Sequence, residues 1–232
     1  MKITWLGHSG FRIEIEEAVL LLDPWLDGNP MFPADRRAEA IAGATHILLT
    51  HAHGDHAASA VQIAAETGAG IAAIHELAEW LTREGAANVT GFGKGGTIEA
   101  GGARVTMVNA SHSASIDFKG GNPIVGGSAA GFMIAGEGQV IYASGDTDIM
   151  ADMEWMADYH KPGIGILSCG GHYTMDMDRA AYAARRYFKF HSIIPCHYRT
   201  FPILAQDAQV LKTGVPPGVS VIEPEVLEPI MF

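Results

Sequence analysis

Apolar residues in this chain recur in short runs, each closed by a polar or glycine-bearing turn. Residues 2–6, 11–16 and 18–23 predict three strands of a meander, because β-like runs bounded by Gly, Asp and Pro favour extended chain. Further strands are expected at 46–50, 71–75, 103–108, 139–143 and 192–196. Ala57–Thr67 is Ala-rich, and neither it nor Glu76–Glu84 has internal Pro or Gly, so both predict helices, as does Asp178–Phe188. Residues 24–37 carry Pro24, Pro30 and Pro33 and form a loop placed to frame a mouth. Residues 91–102 hold six glycines; no helix follows Gly93-Lys94-Gly95-Gly96, so these are turn residues and not a phosphate cradle. A second Gly-rich loop, 113–129, is placed to shape a pocket. Strand and helix alternate with no dividing linker, which predicts one α/β domain over residues 1–232.

The strand at 46–50 runs into His51-Ala52-His53-Gly54-Asp55-His56. Imidazole and carboxylate together suit zinc, iron or manganese. Four donors leaving one strand end cannot all meet one ion with good geometry. His51 and His53 point the same way and can share a metal, while Asp55 and His56 turn toward a second. A His-rich surface loop is the plainer reading, but the spacing and the preceding strand argue against it. Three more candidates stand at strand ends: His112 after 103–108, Asp146 after 139–143 and His197 after 192–196. A single histidine there is usually a satisfied loop residue; several in the same structural position converge on one sheet edge.

The His-x-His-x-Asp-His motif, followed in order by His112, Asp146 and His197, resembles the metallo-β-lactamase superfamily, and the likeness runs from Ile3 to about Phe201. Gly7-His8-Ser9-Gly10-Phe11, Leu22-Asp23-Pro24, Gly171-His172-Tyr173-Thr174-Met175 and Pro195-Cys196-His197-Tyr198 narrow it to the small bacterial metal-dependent hydrolases close to ascorbate-6-phosphate lactonase. The resemblance implies a four-layer αββα sandwich with a dinuclear site at one edge. His51, His53 and His112 would hold one ion, Asp55, His56 and His197 the other, and Asp146 would bridge them beside a hydroxide. The expected cofactors are two divalent ions, zinc foremost, with manganese or iron as alternatives. The expected reaction is hydrolysis of a small molecule, a lactone or other ester. Phosphodiester cleavage, thioester cleavage and a non-catalytic metal sensor on the same scaffold are the alternatives. Self-assembly into a homo-oligomer is compatible with the resemblance.

The 232 residues, 48% of them hydrophobic, suffice for one sizeable core. A net charge of −11 argues against a nucleic-acid surface. Arg36-Arg37 and Arg185-Arg186 read as solvated helix faces. Two cysteines, Cys169 and Cys196, make no disulfide framework, no run spans a membrane, and no signal-peptide core precedes the first strand. These point to the cytoplasm.

Other residues need both a functional and a plain reading. Asp23 can orient a ligating imidazole through its far nitrogen, or cap the turn before Pro24. His8 either lines the pocket or makes a structural hydrogen bond. His172 stands at another strand end and can give a proton to a leaving group. It joins Asp55 and Asp146 as a catalytic candidate. Thr174 is expected to cap the next helix, and Tyr198 and Arg199 to face an anionic substrate. His46, His75, His160, His191 and the methionines near 150–177 read as surface or packing residues.

Overall fold

The computed structural model describes residues 1–232. The chain opens with β1 (Lys2–Trp5), β2 (Phe11–Ile15) and β3 (Ala18–Leu22), then α1 (Arg37–Ile41) and β4 (His46–Leu48). Next come α2 (Gly54–Ala57), α3 (Ala60–Thr67), β5 (Gly70–Ile74), α4 (His75–Arg83) and β6 (Val89–Phe92). The second half begins with β7 (Thr97–Ala100) and β8 (Ala103–Asn109), followed by a small ribbon, β9 (Ser115–Ile116) and β10 (Ile124–Val125). It continues through β11 (Ala130–Gly136), β12 (Gln139–Ala143), α5 (Met153–His160), β13 (Ile164–Ser168), α6 (Met177–Tyr187) and β14 (Ser192–Cys196). α7 (Gln209–Gly214), β15 (Ser220–Val221) and β16 (Pro229–Met231) complete the chain.

Two seven-stranded sheets result, in the orders β16-β1-β2-β3-β4-β5-β6 and β15-β14-β13-β12-β11-β8-β7. Both follow one plan: an antiparallel meander continues into parallel strands, at β3–β4 in the first sheet and β12–β13 in the second. The sequence shows why. In β2, Phe-Arg-Ile-Glu-Ile alternates buried and half-buried positions, as a meander strand with one covered face should. β13 and β14 are buried at every position, as parallel strands covered on both faces must be. One apolar cluster joins Ile13, Leu20 and Ile47 of the first sheet to Phe132, Ile141, Ile166 and Ile193 of the second. With helices on the outer faces, this is the expected αββα sandwich.

Several boundaries differ from expectation. The helix expected at Ala57–Thr67 begins inside the motif, at Gly54, and is broken between Ala57 and Ala60. The Gly-rich stretch 91–102 keeps its turn at 93–96, but it starts within β6 and holds β7 before a second turn at Gly101-Gly102. Sequence patterning gave no warning of β11, which hides behind the Gly-rich loop yet pairs with both β8 and β12. Thr174 does not cap α6; Asp176 does, accepting from Arg179 N at 2.8 Å. No helix is long and apolar enough to cross a membrane.

Because β1, β3 and β4 point the same way, their C-terminal ends share an edge, and so do those of β8, β12, β13 and β14 in the facing sheet. Hydrogen bonds from Ala130 N to Thr50 O (3.0 Å) and from His197 N to His8 O (3.0 Å) draw those two edges together. Glycine is required at this edge: a Cβ on Gly145 would lie 2.3 Å from Ala130 O in its own sheet and 2.9 Å from Thr50 Cβ after β4 of the other, and one on Gly170 1.9 Å from His197 O.

Candidate metal centre

Every donor named from the sequence arrives at this seam. His51, His53, Asp55 and His56 follow β4, His112 follows β8, Asp146 follows β12 and His197 follows β14. Two groups form. The donor atoms of His51, His53 and His112 lie within 4.8 Å of one another, as do those of His8, Asp55, His56 and His197. A third set, His51, His56 and Asp146, links them. Asp146 Oδ2 is 3.0 Å from His197 Nε2, 3.4 Å from His56 Nε2 and 3.7 Å from His112 Nε2. It therefore sits between the groups, where a bridging carboxylate would.

Partners behind the donors fix which ring nitrogen faces inward. Thr50 gives its hydroxyl proton to Asp23 Oδ2 (2.7 Å), so its oxygen accepts from His51 Nδ1 (3.0 Å) and Nε2 of His51 is left with a lone pair. Asp23 Oδ2 also accepts from His56 Nδ1 at 2.9 Å, and Oδ1 from Thr50 N at 2.8 Å. Asp23 thus has the orienting role expected of it. His197 has no partner on Nδ1; its ring is held by packing on His8, centroid to centroid 4.0 Å.

Whether a metal suits these residues can be judged from unpaired atoms. Buried polar atoms in folded proteins are almost all hydrogen-bonded. Here His56 Nε2 and Asp146 Oδ1 are buried without a partner, and His56 Nε2 faces Asp146 and Asp55. Five imidazoles and two carboxylates, with buried atoms left unpaired among them, fit divalent cations.

Comparisons with known proteins identify the family. A family profile described as the β-lactamase superfamily domain matches residues 19–224. The chain belongs to that superfamily. A metal-dependent hydrolase of Cereibacter sphaeroides is 67% identical over 99% of both chains. The solved structure of Igni18, a metallo hydrolase from Ignicoccus hospitalis, superposes with a TM-score of 0.82 at 29% identity, covering 100% of this chain and 98% of that one. The metallo-β-lactamase-fold protein YhfI from Bacillus subtilis shares the fold at 14% identity and a TM-score of 0.75, covering 99% and 98%. Relatives in this superfamily thus include metal-dependent hydrolases that align with the chain from end to end.

Within this superfamily scaffold, the electrostatics divide the centre. Burial lowers the pKa of His51 well below its ordinary value, and the neighbouring His56 charge adds to that. Burial lowers His112 as well. Burial also opposes a charge on His56, but Asp146, Asp23 and Asp55 outweigh it and raise its pKa well above the usual value. For His197 burial is again outweighed, mainly by Asp146, and the pKa rises to about 9. Asp146 and Asp55 move down despite their burial, Asp146 chiefly through His197 and His56, and Asp55 through His56, His197 and His8. In His8 burial dominates and brings the pKa down to about 4.

Four residues at the seam, His8, Asp23, His172 and His197, have left-handed backbone with φ of 52°, 43°, 61° and 54°. Such conformations cost about 1–3 kcal/mol each and persist where surrounding contacts over-determine them. His8 shows those contacts: its carbonyl accepts from both Trp5 Nε1 (2.9 Å) and His197 N (3.0 Å).

The remaining candidates divide. His172 is exposed, hydrogen-bonds none of the seven donors and sits edge-on to Tyr173 at 4.5 Å. Its loop is nevertheless tied to the centre, since Met175 N donates to Thr147 O beside Asp146. Tyr198 and Arg199 do not face a substrate. Tyr198 is buried against Trp5, and Arg199 turns to Glu225 at 3.3 Å. The loop 24–37 brings Trp25 to 5.4 Å from the His8 ring, and Phe201 approaches the same ring at 5.8 Å. The loop 113–129 reaches the motif through Asp117, which accepts from Gly54 N at 2.8 Å. Sequence reasoning missed Thr50, Asp117 and Thr200. Only Thr50, adjoining the motif, carried any signal. A cavity of about 700 Å³ between α5 and α6 shares no residue with the donors.

Proposed function

We propose that this protein hydrolyses a neutral ester, a lactone foremost, at a centre of two divalent ions, with zinc the expected metal and manganese or iron the alternatives. The observation that carries this reading is the pair of donor groups meeting at Asp146. On it, His51, His53 and His112 hold one ion, Asp55, His56 and His197 the other, and Asp146 serves both. When bound, the ions supply a water activated near neutral pH and polarise the scissile carbonyl.

The chain's own residues then do the following. Asp146 sets the spacing of the two donor groups, its position fixed by its contacts with three imidazoles. Asp23 and Thr50 keep Nε2 of His56 and His51 turned inward. Asp55 is the carboxylate best placed to accept a hydrogen bond from the attacking water, since its side chain is partly exposed and that of Asp146 is buried. To His172, exposed on the loop that Met175 N ties to Thr147 O, we assign the proton that a leaving alkoxide takes up. Trp25 and Phe201 make an apolar wall beside the second donor group.

The two ions would themselves meet phosphoryl oxygens, so the preference for an ester over a phosphodiester rests on the lack of any further cationic side chain paired with the carboxylates. No lysine or arginine pairs with Asp55 or Asp146, and Arg199 is engaged by Glu225. Phosphoryl oxygens are ordinarily met by such groups. The buried free thiols Cys169 and Cys196 suit a reducing compartment.

Metal analysis of the purified chain, followed by a screen of lactones, carboxylic esters and phosphodiesters in one metal state, tests the proposal. The expected result is two ions per chain and lactone or ester turnover abolished by chelation. Saturation at one ion, or turnover confined to phosphodiesters, overturns it.

A further inference from the structure

His8 lies outside the seven donors, yet it is fully buried and its ring stands in the second donor group. Its Nε2 is 2.9 Å from Asp55 Oδ2, and its Nδ1 is 2.8 Å from Thr200 Oγ1. For Asp55 this contact is the only side-chain hydrogen bond. Asp23, by contrast, is held by Thr50 N, Thr50 Oγ1 and His56 Nδ1. Asp55 also belongs to the four-residue helix α2 and is partly exposed, and its other contacts, His197 Nε2 at 3.6 Å and His56 Nε2 at 3.9 Å, are longer than the one to His8. A carboxylate meant to face an ion needs such a partner.

We propose that His8 is a positioning residue that aims Asp55 at the second ion, through an Nε2–H···Oδ2 bond whose tautomer is set by Thr200. The inference rests on the two-ion reading above. Proton accounting supports it. An ionised carboxylate only accepts, so Nε2 of His8 must carry the hydrogen. A neutral ring then offers Nδ1 as an acceptor, and the Thr200 hydroxyl supplies the proton. The other neighbours of that hydroxyl, Tyr198 O and Met31 Sδ, are farther away, both at 3.2 Å. With the hydrogen on Nε2, that atom has no lone pair for a metal. Position agrees: His56, His112 and His197 all reach Asp146, at 3.4, 3.7 and 3.0 Å, whereas Asp55 is the only carboxylate that His8 contacts. The left-handed backbone at His8 and its double-capped carbonyl hold the ring in this place.

The test is a Zn²⁺ titration of the chelator-stripped full chain by calorimetry, repeated with Co²⁺ and read by its absorption spectrum. His8→Ala should weaken the second ion about 10–100-fold, the range for losing a ligand's orienting partner, and leave the first within about threefold. His8→Gln retains an N–H donor of similar reach but is a poor ligand, so it should restore most of that loss. Thr200→Val should give a smaller fall than His8→Ala. This variant leaves the strained backbone at position 8 untouched, and so remains informative if melting of the metal-free chains shows the His8 variants unfolded. His8→Gln behaving like His8→Ala, with the Co²⁺ spectrum losing a nitrogen ligand, would make His8 a ligand and overturn the proposal. A second-ion affinity unchanged in His8→Ala, or in Thr200→Val, would also overturn it. Two ions in the wild type with either result sinks this inference alone, whereas one ion in the wild type sinks the two-ion reading with it.

Discussion

The two halves of the centre are built differently. His51, His53 and His112 form a half that is partly open, with His53 and His112 incompletely buried. Two of its three imidazoles, His51 and His112, have lowered pKa values, so their nitrogens are ready for a cation. The other half packs His8, His56 and His197 at full or near-full burial around two carboxylates. There His56 and His197 carry raised pKa values, and without a metal, protons supply the positive charge that Asp55 and Asp146 require. On the proposed two-ion reading, the first half has fewer protons to displace. The other must first give up protons.

The sharpest way to break the comparison is to remove what the halves share. Asp146→Ala should weaken both ions and reduce turnover by well over the roughly 100-fold upper range for an orienting partner. Kinetics at full metal loading check this, and wild-type turnover there would sink the mechanism. His56→Ala or His197→Ala should act on one half only. Metal content should fall toward a single ion held by His51, His53 and His112, as elemental analysis would show. Equal loss of both ions would mean that the halves are not separate.

Asp23→Asn probes the brace behind His56 and should weaken the second ion about 10–100-fold. It should also cost about 1–3 kcal/mol of stability, because buried donors lose an ionised acceptor. Denaturant unfolding of the metal-free chain measures the latter.

Protons sharpen the contrast further. A histidine whose folded pKa is raised contributes stability that is complete below its unfolded value of 6.5 and lost as pH rises through the folded one. For His197 that window runs from 6.5 to about 9, so the metal-free chain should lose stability across it while the metal-loaded chain does not. Over the same window, affinity for the second ion should climb with pH more steeply than that for the first. Titrations at pH 6.5, 7.5 and 8.5 decide it.

The smallest effect is expected at His172. His172→Ala should leave metal content unchanged and lower kcat for esters with poor leaving groups more than for activated aryl esters, which need no proton. Equal losses would assign it to positioning.

How much of this could be read beforehand depends on distance along the chain. The motif declared its own division into His51/His53 and Asp55/His56, because strand alternation is a local rule. His112, Asp146 and His197 were visible as polar residues ending apolar runs. Asp23 was recognisable through resemblance. Thr200 was not, since its role exists only once it meets His8, 192 residues away. Nor was the diversion of Arg199, which depends on Glu225 reaching it from another loop. In the fold, β14 followed from the strand expected at 192–196, whereas β13 was marked only by the strand end ahead of His172. β16 escaped notice because three residues carry too little pattern, and it is defined by pairing with β1.

The bond from His197 N to His8 O has a kinetic consequence. It joins the beginning of one sheet to the end of the other, so the second half of the centre cannot exist until both sheets have docked. Contacts this remote in sequence are costly to close and form late in folding. An ion bound there stabilises only the docked state, by an amount that grows with the logarithm of its concentration over Kd. Parting of the sheets should therefore release the second ion, so its off-rate sets an upper bound on how often this sandwich opens.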